Sequence, residues 1–516
     1  MPGLDNTILE TVDHRTAIAR IQHDIRTDFI WAPHLAAVFQ FCGDRLWDQL
    51  RRDLRSGAYE PELPVSIRVP KLGGFTRPGS ILAPADRLVY QVLADICAPT
   101  IENQLDRGRV FSNIYQPDLS TGAMFASQGD GWTQMQNHVR NMAAKGGHFV
   151  VGDIAHYFER VPQHHLINLV RASGAQPEVI RLLEEIFLAF QERESFGIIQ
   201  GVYPSDLLGN FYLSDLDAQC ELKGWQSARF VDDFYIHFED RRAAERGLSD
   251  VIDALRRDGL HLNEHKSGIR EAQDVIWEET ELDRLLDEAR EEVMGEHHGL
   301  HFEYGFTTEW DEDPNEEELR VSSIERIYSS INDYPHATDK IERFCLPILR
   351  SARSEVAIDR ALEGVRERPH LVRLYLAYLA ELAKHDEDVS GRVQEILIQN
   401  DLSFDYQLLF LISALLNAKG IRREATLKAV RLLQDRSIHP SVRAMAAIFA
   451  ARHGTPQHRR SVRTSYEDEG SVFVQSAILY SSMYFTATER KTCIRAWGGH
   501  SFVNSLIAGA IRQIID

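Results

Sequence analysis

Asp232 and Asp233 stand side by side in ARFVDDFYIHF (residues 228–238), a run that is otherwise mostly apolar and aromatic. Phe230, Val231, Phe234, Tyr235, Ile236 and Phe238 read as two short buried strands, with the two acids at the turn that joins them into a hairpin. In a solvated turn such a pair needs no explanation. At a buried turn the carboxylates repel each other and lose hydration, and they are tolerated when a cation neutralises them. Ligands that are all oxygen select a hard ion such as magnesium (Mg2+), which manganese (Mn2+) can replace. A cage of this kind calls for a third acid on a neighbouring strand. The segment HFVVGDIAHYFERVP (148–162) offers one: the apolar run Phe149-Val150-Val151 leads to Asp153 and then to Tyr157-Phe158. The alternative for Asp153 is the N-cap of a following helix.

The elements that must position these acids are legible around them. Between the two acidic strands lies GIIQGVYPSDLLGNFYLSDLDAQ (197–219). Gly197-x-x-Gln200-Gly201 predicts a tight turn, and Ser205 is placed to cap a helix running through Leu208, Phe211, Leu213 and Leu216. Other candidates for chemistry fall away. His164-His165 and His297-His298 invite a metal reading, but neither pair sits in an HExxH arrangement or near a cysteine, and Glu296 beside the second pair belongs to an acidic stretch. Gly73-Gly74 is followed by neither GK[ST] nor GxGxxG, so it is no phosphate loop of those kinds.

Composition narrows the class. A chain of 516 residues with 44% hydrophobic and 26% charged residues describes an ordinary globular protein of two or three domains. Five scattered cysteines without CxxC spacing predict a reducing compartment, no disulfides and no zinc site. MPGLDNTILE carries no signal-peptide pattern, and the most apolar run, YQLLFLISALLNA (406–418), is too short to span a bilayer and reads as a buried helix. The expectation is a cytoplasmic protein without membrane contact. The net charge of −20 is mostly local: residues 271–320 hold 19 acidic and 3 basic residues. That distribution disfavours strong, sequence-independent nucleic-acid binding and leaves a short-range contact open.

Three zones follow. Residues 1–270 mix helical and strand-like patterns with Gly and Pro punctuation, as in an α+β domain. Residues 271–335 form an acidic connector, helical at Leu282, Leu285, Leu286 and Val293 and then an exposed loop around Pro314. Residues 336–516 are a succession of helical patterns, including 371–382, HPSVRAMAAIFAARHG and SVFVQSAILYSSMYF. They read either as a HEAT-like array of stacked helix pairs or as an irregular bundle.

Taken in order, DIAHYF, GIIQGVYPSDLLGNFYLSDLD, RFVDDF and GLHLNEHKS resemble motifs A, B, C and D of a reverse transcriptase palm. VPKLGGFTRPGSILAPADRLVYQVLADI (69–96) resembles the fingers motif that precedes them, so the resemblance covers residues 66–267. RNA-dependent RNA polymerases share the palm logic, but the FVDD turn and the QGxxxS form fit the reverse transcriptases better. The resemblance implies a right-hand fingers and palm fold and two-metal nucleotidyl transfer. It implies Asp153 and Asp232 as ligands of both ions, Asp233 as a weaker ligand, and the carbonyl of Ile154 as a further oxygen. It makes Phe158 a steric gate against a ribose 2′-hydroxyl, with a core aromatic as the alternative. Lys71 and Arg77 would grip the triphosphate of a dNTP, and Gln200 and Gly201 would line the nucleotide pocket with Ser205 supporting the turn. Lys266 would donate a proton to pyrophosphate; for these cations a solvated surface position is the alternative.

Departures from the common pattern refine the resemblance. PSD stands where many bacterial enzymes have SP, the segment after motif D is acidic where a thumb would be basic, and no RNase H, maturase or retron-type signature is present. A palm followed by a long helical array resembles the abortive-infection and defence-associated reverse transcriptases of bacteria. That likeness implies antiphage defence and homo-oligomers such as trimers or hexamers. It also implies one of two syntheses: template-independent, protein-primed production of single-stranded DNA, or cDNA synthesis on a dedicated non-coding RNA. Priming needs a hydroxyl at the metals, and nothing selects one among 16 tyrosines that include Tyr115, Tyr203 and Tyr304. A non-catalytic helical scaffold is a third reading, disfavoured by the intact set of three aspartates.

Overall fold

The computed structural model describes residues 3–117, 121–192, 194–276, 284–285, 302–303, 306–307 and 321–515. The helical spacing and loop expected between 277 and 320 thus lie almost wholly outside the described residues, as do His297-His298 and Tyr304.

A four-stranded antiparallel sheet carries the acids. Its strands are β3 (His148–Asp153), β4 (Gln226–Phe230), β5 (Asp233–Phe238) and β6 (Gly268–Glu271), in the order β4-β5-β3-β6. The apolar runs that suggested strands form them because Phe149, Val150, Val151, Phe234, Ile236 and Phe238 are all buried against packed helices. Helix Arg241–Arg257 packs on β3, β5 and β6, and helix Gln128–Ala143 on β4 and β5. Close approach explains one glycine in the sheet. A Cβ on Gly152 would lie 2.1 Å from the ring of Phe234, its cross-strand partner, so any side chain there would spread the two strands that carry the acids.

Ahead of the sheet, β1 (Val65–Pro70) and β2 (Thr76–Ile81) form a separate antiparallel hairpin whose tip exposes Leu72 and Phe75. Helices His14–Asp24, Pro33–Ser56 and Pro84–Glu102 pack on one another. One expectation fails nearby. Ser205 does not cap its helix: the helix starts at Tyr203 with Val202 at the cap, and it breaks at Leu213 into Tyr203–Tyr212 and Ser214–Leu222. Pro204 in the first turn is compatible with the earlier start, because its missing N–H is one that has no intrahelical partner there.

From Ser322 to Ile515 the described chain is helical, beginning inside the segment read from sequence as connector. The helices stack in two rows. One row runs Thr338–Ser351, Val372–Ala383, Asp405–Ala414, Pro440–His453, Val472–Ser481 and Phe502–Ile515, each packed on the next. The other runs Ile358–Glu367, Glu387–Gln399, Arg423–Gln434, Pro456–Thr464 and Ala487–Trp497. The first row turns one side to its partner row and another to the N-terminal half: Asp405–Ala414 and Pro440–His453 touch β1, and Phe502–Ile515 lies along Pro33–Ser56. A helix covered on both sides must be apolar nearly all round, which accounts for the run at 406–418 and for the unbroken burial of Ser441 to Ala451. Polar contacts pin the seam. Arg373 donates to the carbonyls of Arg26, Thr27 and Asp28, His439 pairs with the Ser66 carbonyl at 2.7 Å, and Arg45 donates to the Ser505 carbonyl at 3.0 Å. All five cysteines are buried and free.

Candidate active site

The β3 and β5 register brings Asp153 directly opposite Asp233, and Asp232 occupies the two-residue turn between β4 and β5. Asp153 is buried and the other two are half-buried. Burial, then Asp233 and Asp153, push the Asp232 carboxyl up to about 7.

The segment after helix Arg241–Arg257 supplies the opposing charge. Lys266 Nζ donates to Asp153 Oδ1 at 2.8 Å and Asn263 Nδ2 to Asp153 Oδ2 at 2.9 Å. The backbone is tied as well: Asn263 N–H donates to the Asp153 carbonyl at 2.8 Å, and Asp153 N–H to Ser267 Oγ at 3.0 Å. The bond to Asp153 raises the Lys266 pKa, so the ammonium stays charged. An all-oxygen donor set of three adjacent carboxylates, one of them buried, fits a hard divalent cation. Asp153, Asp232 and Asp233 would hold it. Ile154 is buried and bridges to Leu262, next to the acids in the chain.

The turn itself is held under strain. Val231 has φ +54°, a left-handed conformation that a β-branched residue rarely adopts. Its N–H donates to Ser112 Oγ at 2.8 Å and its carbonyl accepts from Arg229 Nη1 at 2.9 Å. Arg229, buried, uses all five of its donors. Nε and Nη2 reach Asp217 at 3.1 and 2.6 Å, Nη1 also reaches Asn210 Oδ1 at 2.9 Å, and Nη2 reaches the Asn210 carbonyl at 3.1 Å. Sequence reasoning passed over Arg229, Ser112, Asn210, Asp217 and Asn263. The signal for Arg229 was an arginine within the same apolar run as the acids.

The remaining candidates separate into two groups. Lys71 is half-buried, and its pKa is lowered first by burial and then by Arg77, with smaller effects from Glu159, Lys266 and Asp232, so the hairpin turn brings it within electrostatic reach of the acids. Arg77 stacks on Phe29 at 4.7 Å, and Gly201 (φ +81°) leaves room for that same ring, which a Cβ there would approach to 2.7 Å. Gln200 is half-buried beside it. The half-buried ring of Phe158 packs on Gly209 of helix Tyr203–Tyr212, where a Cβ would lie 2.9 Å away. Ser205, by contrast, is fully buried, with its hydroxyl 2.9 Å from that of Tyr90. It braces the helix from beneath and offers nothing to a nucleotide directly. Of the tyrosines considered for priming, Tyr203 is buried with its hydroxyl 2.6 Å from His23 Nδ1, and Tyr115 is half-buried beside Arg20.

Residues 69–284 match the family model described as reverse transcriptase (RNA-dependent DNA polymerase). Among solved structures, telomerase from Candida tropicalis in complex with a TWJ fragment of telomeric RNA aligns at 11% identity and a TM-score of 0.32, over 69% of this chain and 62% of that one. A likeness that distant carries no argument of its own, and this chain spans less than two thirds of the telomerase chain's length. No curated protein matches. The matched segment, which is under half of the chain, carries the three acids and is joined to a largely helical C-terminal region.

Proposed function

We propose that this chain, whose residues 69–284 match the reverse transcriptase family model, is a DNA polymerase that adds deoxynucleotides to a 3′-hydroxyl by two-metal chemistry. The observation that carries the reading is the pairing of Asp153 with Asp233 across neighbouring strands, with Asp232 on the adjoining turn and Lys266 bonded to Asp153.

Magnesium ions, held by Asp153, Asp232 and Asp233 with the Ile154 carbonyl, would supply Lewis acidity at the attacking and leaving oxygens. The bond from the 3′-oxygen to the α-phosphorus forms as the bond to the pyrophosphate oxygen breaks. Lys71 and Arg77 bind the triphosphate, and Lys266, kept protonated, donates its proton to the departing pyrophosphate. Phe158 closes the space where a ribose 2′-hydroxyl would sit, and Gln200 and Gly201 line the nucleotide pocket. The decisive experiment is incorporation of labelled dNTPs by the purified chain with magnesium, beside Asp232→Asn. Equal incorporation by the two proteins would overturn the catalytic assignment and favour the scaffold.

The biological setting we infer is antiphage defence of the abortive-infection type, in the cytoplasm and as a homo-oligomer such as a trimer or hexamer, with the helical rows serving as a HEAT-like assembly platform. Template-independent, protein-primed synthesis of single-stranded DNA is the reading we favour. The acidic stretch at 271–320 stands where a duplex-clasping thumb would need basic residues. DNA that enters a denaturing gel only after proteinase K treatment is the expected product. DNA released without proteolysis, together with one discrete RNA, would instead establish templated synthesis on a non-coding RNA partner.

A further inference from the structure

Three side chains far apart in sequence, none of them among Asp153, Asp232 and Asp233, converge on one another. His165 lies in the first turn of helix Gln163–Ala172, Asp215 in the first turn of Ser214–Leu222, and Asp258 caps the C-terminus of Arg241–Arg257. One ligand atom from each lies within 4.8 Å of the other two. His165 Nε2 is 3.3 Å from Asp215 Oδ2 and 4.0 Å from Asp258 Oδ1, yet it is shut off from solvent and makes no hydrogen bond.

Those separations distinguish two kinds of partnership. A charged imidazole bonded to a carboxylate closes to about 2.7–2.9 Å with its N–H aimed at the oxygen. An imidazole and a carboxylate sharing a tetrahedral zinc ion, with metal–ligand bonds of about 2.0–2.2 Å, stand about 3.4 Å apart instead. The His165–Asp215 spacing of 3.3 Å matches the second case, and Asp258 Oδ1, 4.0 Å from the imidazole nitrogen and within 4.8 Å of Asp215, would close on both as an ion bound. The surroundings hold the ligands in place. The Tyr212 ring stands edge-on to His165 with centroids 5.3 Å apart, and its hydroxyl donates to the Asp258 carbonyl at 2.6 Å. One imidazole with two carboxylates selects a divalent transition ion of the zinc type over magnesium, which takes oxygen ligands.

We propose that His165, Asp215 and Asp258 form a second metal site, specific for a zinc-like divalent ion, with water completing the coordination. Its place in the chain gives it a purpose. Asp258 begins the segment in which the His261 carbonyl accepts from Ala155 N–H at 2.9 Å, Leu262 bridges to Ile154 and Asn263 bonds Asp153. An ion joining Asp258 to His165 and Asp215 therefore fastens the strip that orients the catalytic Asp153.

The test uses the full chain, stripped with chelator and returned to millimolar magnesium so that the catalytic acids are occupied. Zinc uptake is then titrated, with cobalt as a spectroscopic substitute. Wild type is expected to take up one zinc per chain. His165→Gln and Asp215→Asn should each weaken that uptake by about tenfold or more, while Asp232→Asn keeps it. Asp215 is half-exposed, so its variant decides the matter if His165→Gln fails to fold. Absence of zinc uptake by wild type would mean an ordinary ion pair and overturn the site. So would uptake that survives both substitutions, or that is lost in Asp232→Asn.

Discussion

Replacing Arg229 by lysine keeps the charge and removes the fork, and the cost can be worked from its contacts. The guanidinium is 2% exposed and gives five hydrogen bonds: two to Asp217, two to Asn210 and one to the Val231 carbonyl. An ammonium has three donors and cannot span the same acceptors. At least two bonds to buried groups are lost, each worth about 1.5 kcal/mol or more when one partner is charged, so the fold should lose about 3 kcal/mol. The effect on chemistry is separate. Val231 at φ +54° is a conformation that costs about 1–3 kcal/mol to hold, and the Arg229 bond to its carbonyl is one of two anchors. With that anchor gone the turn relaxes and Asp232 moves with it. A displacement of about 1 Å at a reacting centre costs about a hundredfold in rate. Urea unfolding would measure the first loss, and dNTP incorporation at a temperature where the variant is folded would measure the second. A variant that unfolds like wild type, or that is folded and incorporates nucleotide at the wild-type rate, would refute the idea that Arg229 holds the catalytic turn.

Phe158→Ala should leave dNTP incorporation within about tenfold of wild type and raise the use of ribonucleotides relative to deoxynucleotides; an unchanged ratio in competition assays would make Phe158 a packing residue only. His34, fully buried and edge-on to Phe473 across the seam at 4.8 Å, has its pKa lowered to about 3 by burial, against a smaller opposing effect from the Phe473 backbone. The unfolded chain takes up this proton near pH 6.5 and the folded chain does not, so the group lowers stability as pH falls below 6.5, by about 2 kcal/mol at pH 5. His34→Leu should lose that much less than wild type between pH 7 and pH 5 in paired urea titrations, and equal losses would contradict the assignment. Truncation after residue 320 strips the cover from β1 and from helix Pro33–Ser56, and the shortened chain should be recovered only as aggregate; a soluble monomer that melts cooperatively would show that the two halves fold independently.

The placement of the three acids was legible in the sequence. Asp153 and the Asp232-Asp233 pair lie in short stretches whose apolar flanks dictate strands. Once two strands pair, the position of an acid at a strand end follows from the chain alone. Helices were equally readable where one face is apolar. Ser205 was misjudged because helix starts depend on which backbone N–H groups find partners. The sequence around Val202-Tyr203-Pro204 allowed the earlier start.

Local pattern therefore determined which segments are strands and helices, and which three carboxylates stand at the strand ends and turn that come together. Tertiary structure alone decided what holds those carboxylates in place. Arg229 gathers Asp217, Asn210 and Val231, while Asn263 and Lys266 bond Asp153 from 110 and 113 residues away. It alone folded the helical rows back onto β1 and Pro33–Ser56, and brought His165 to Asp215 and Asp258. The physical reason is the same in each case. Hydrophobic periodicity is a property of neighbours along the chain, whereas a buried charge finds its partners across space, wherever packing happens to bring a matching group.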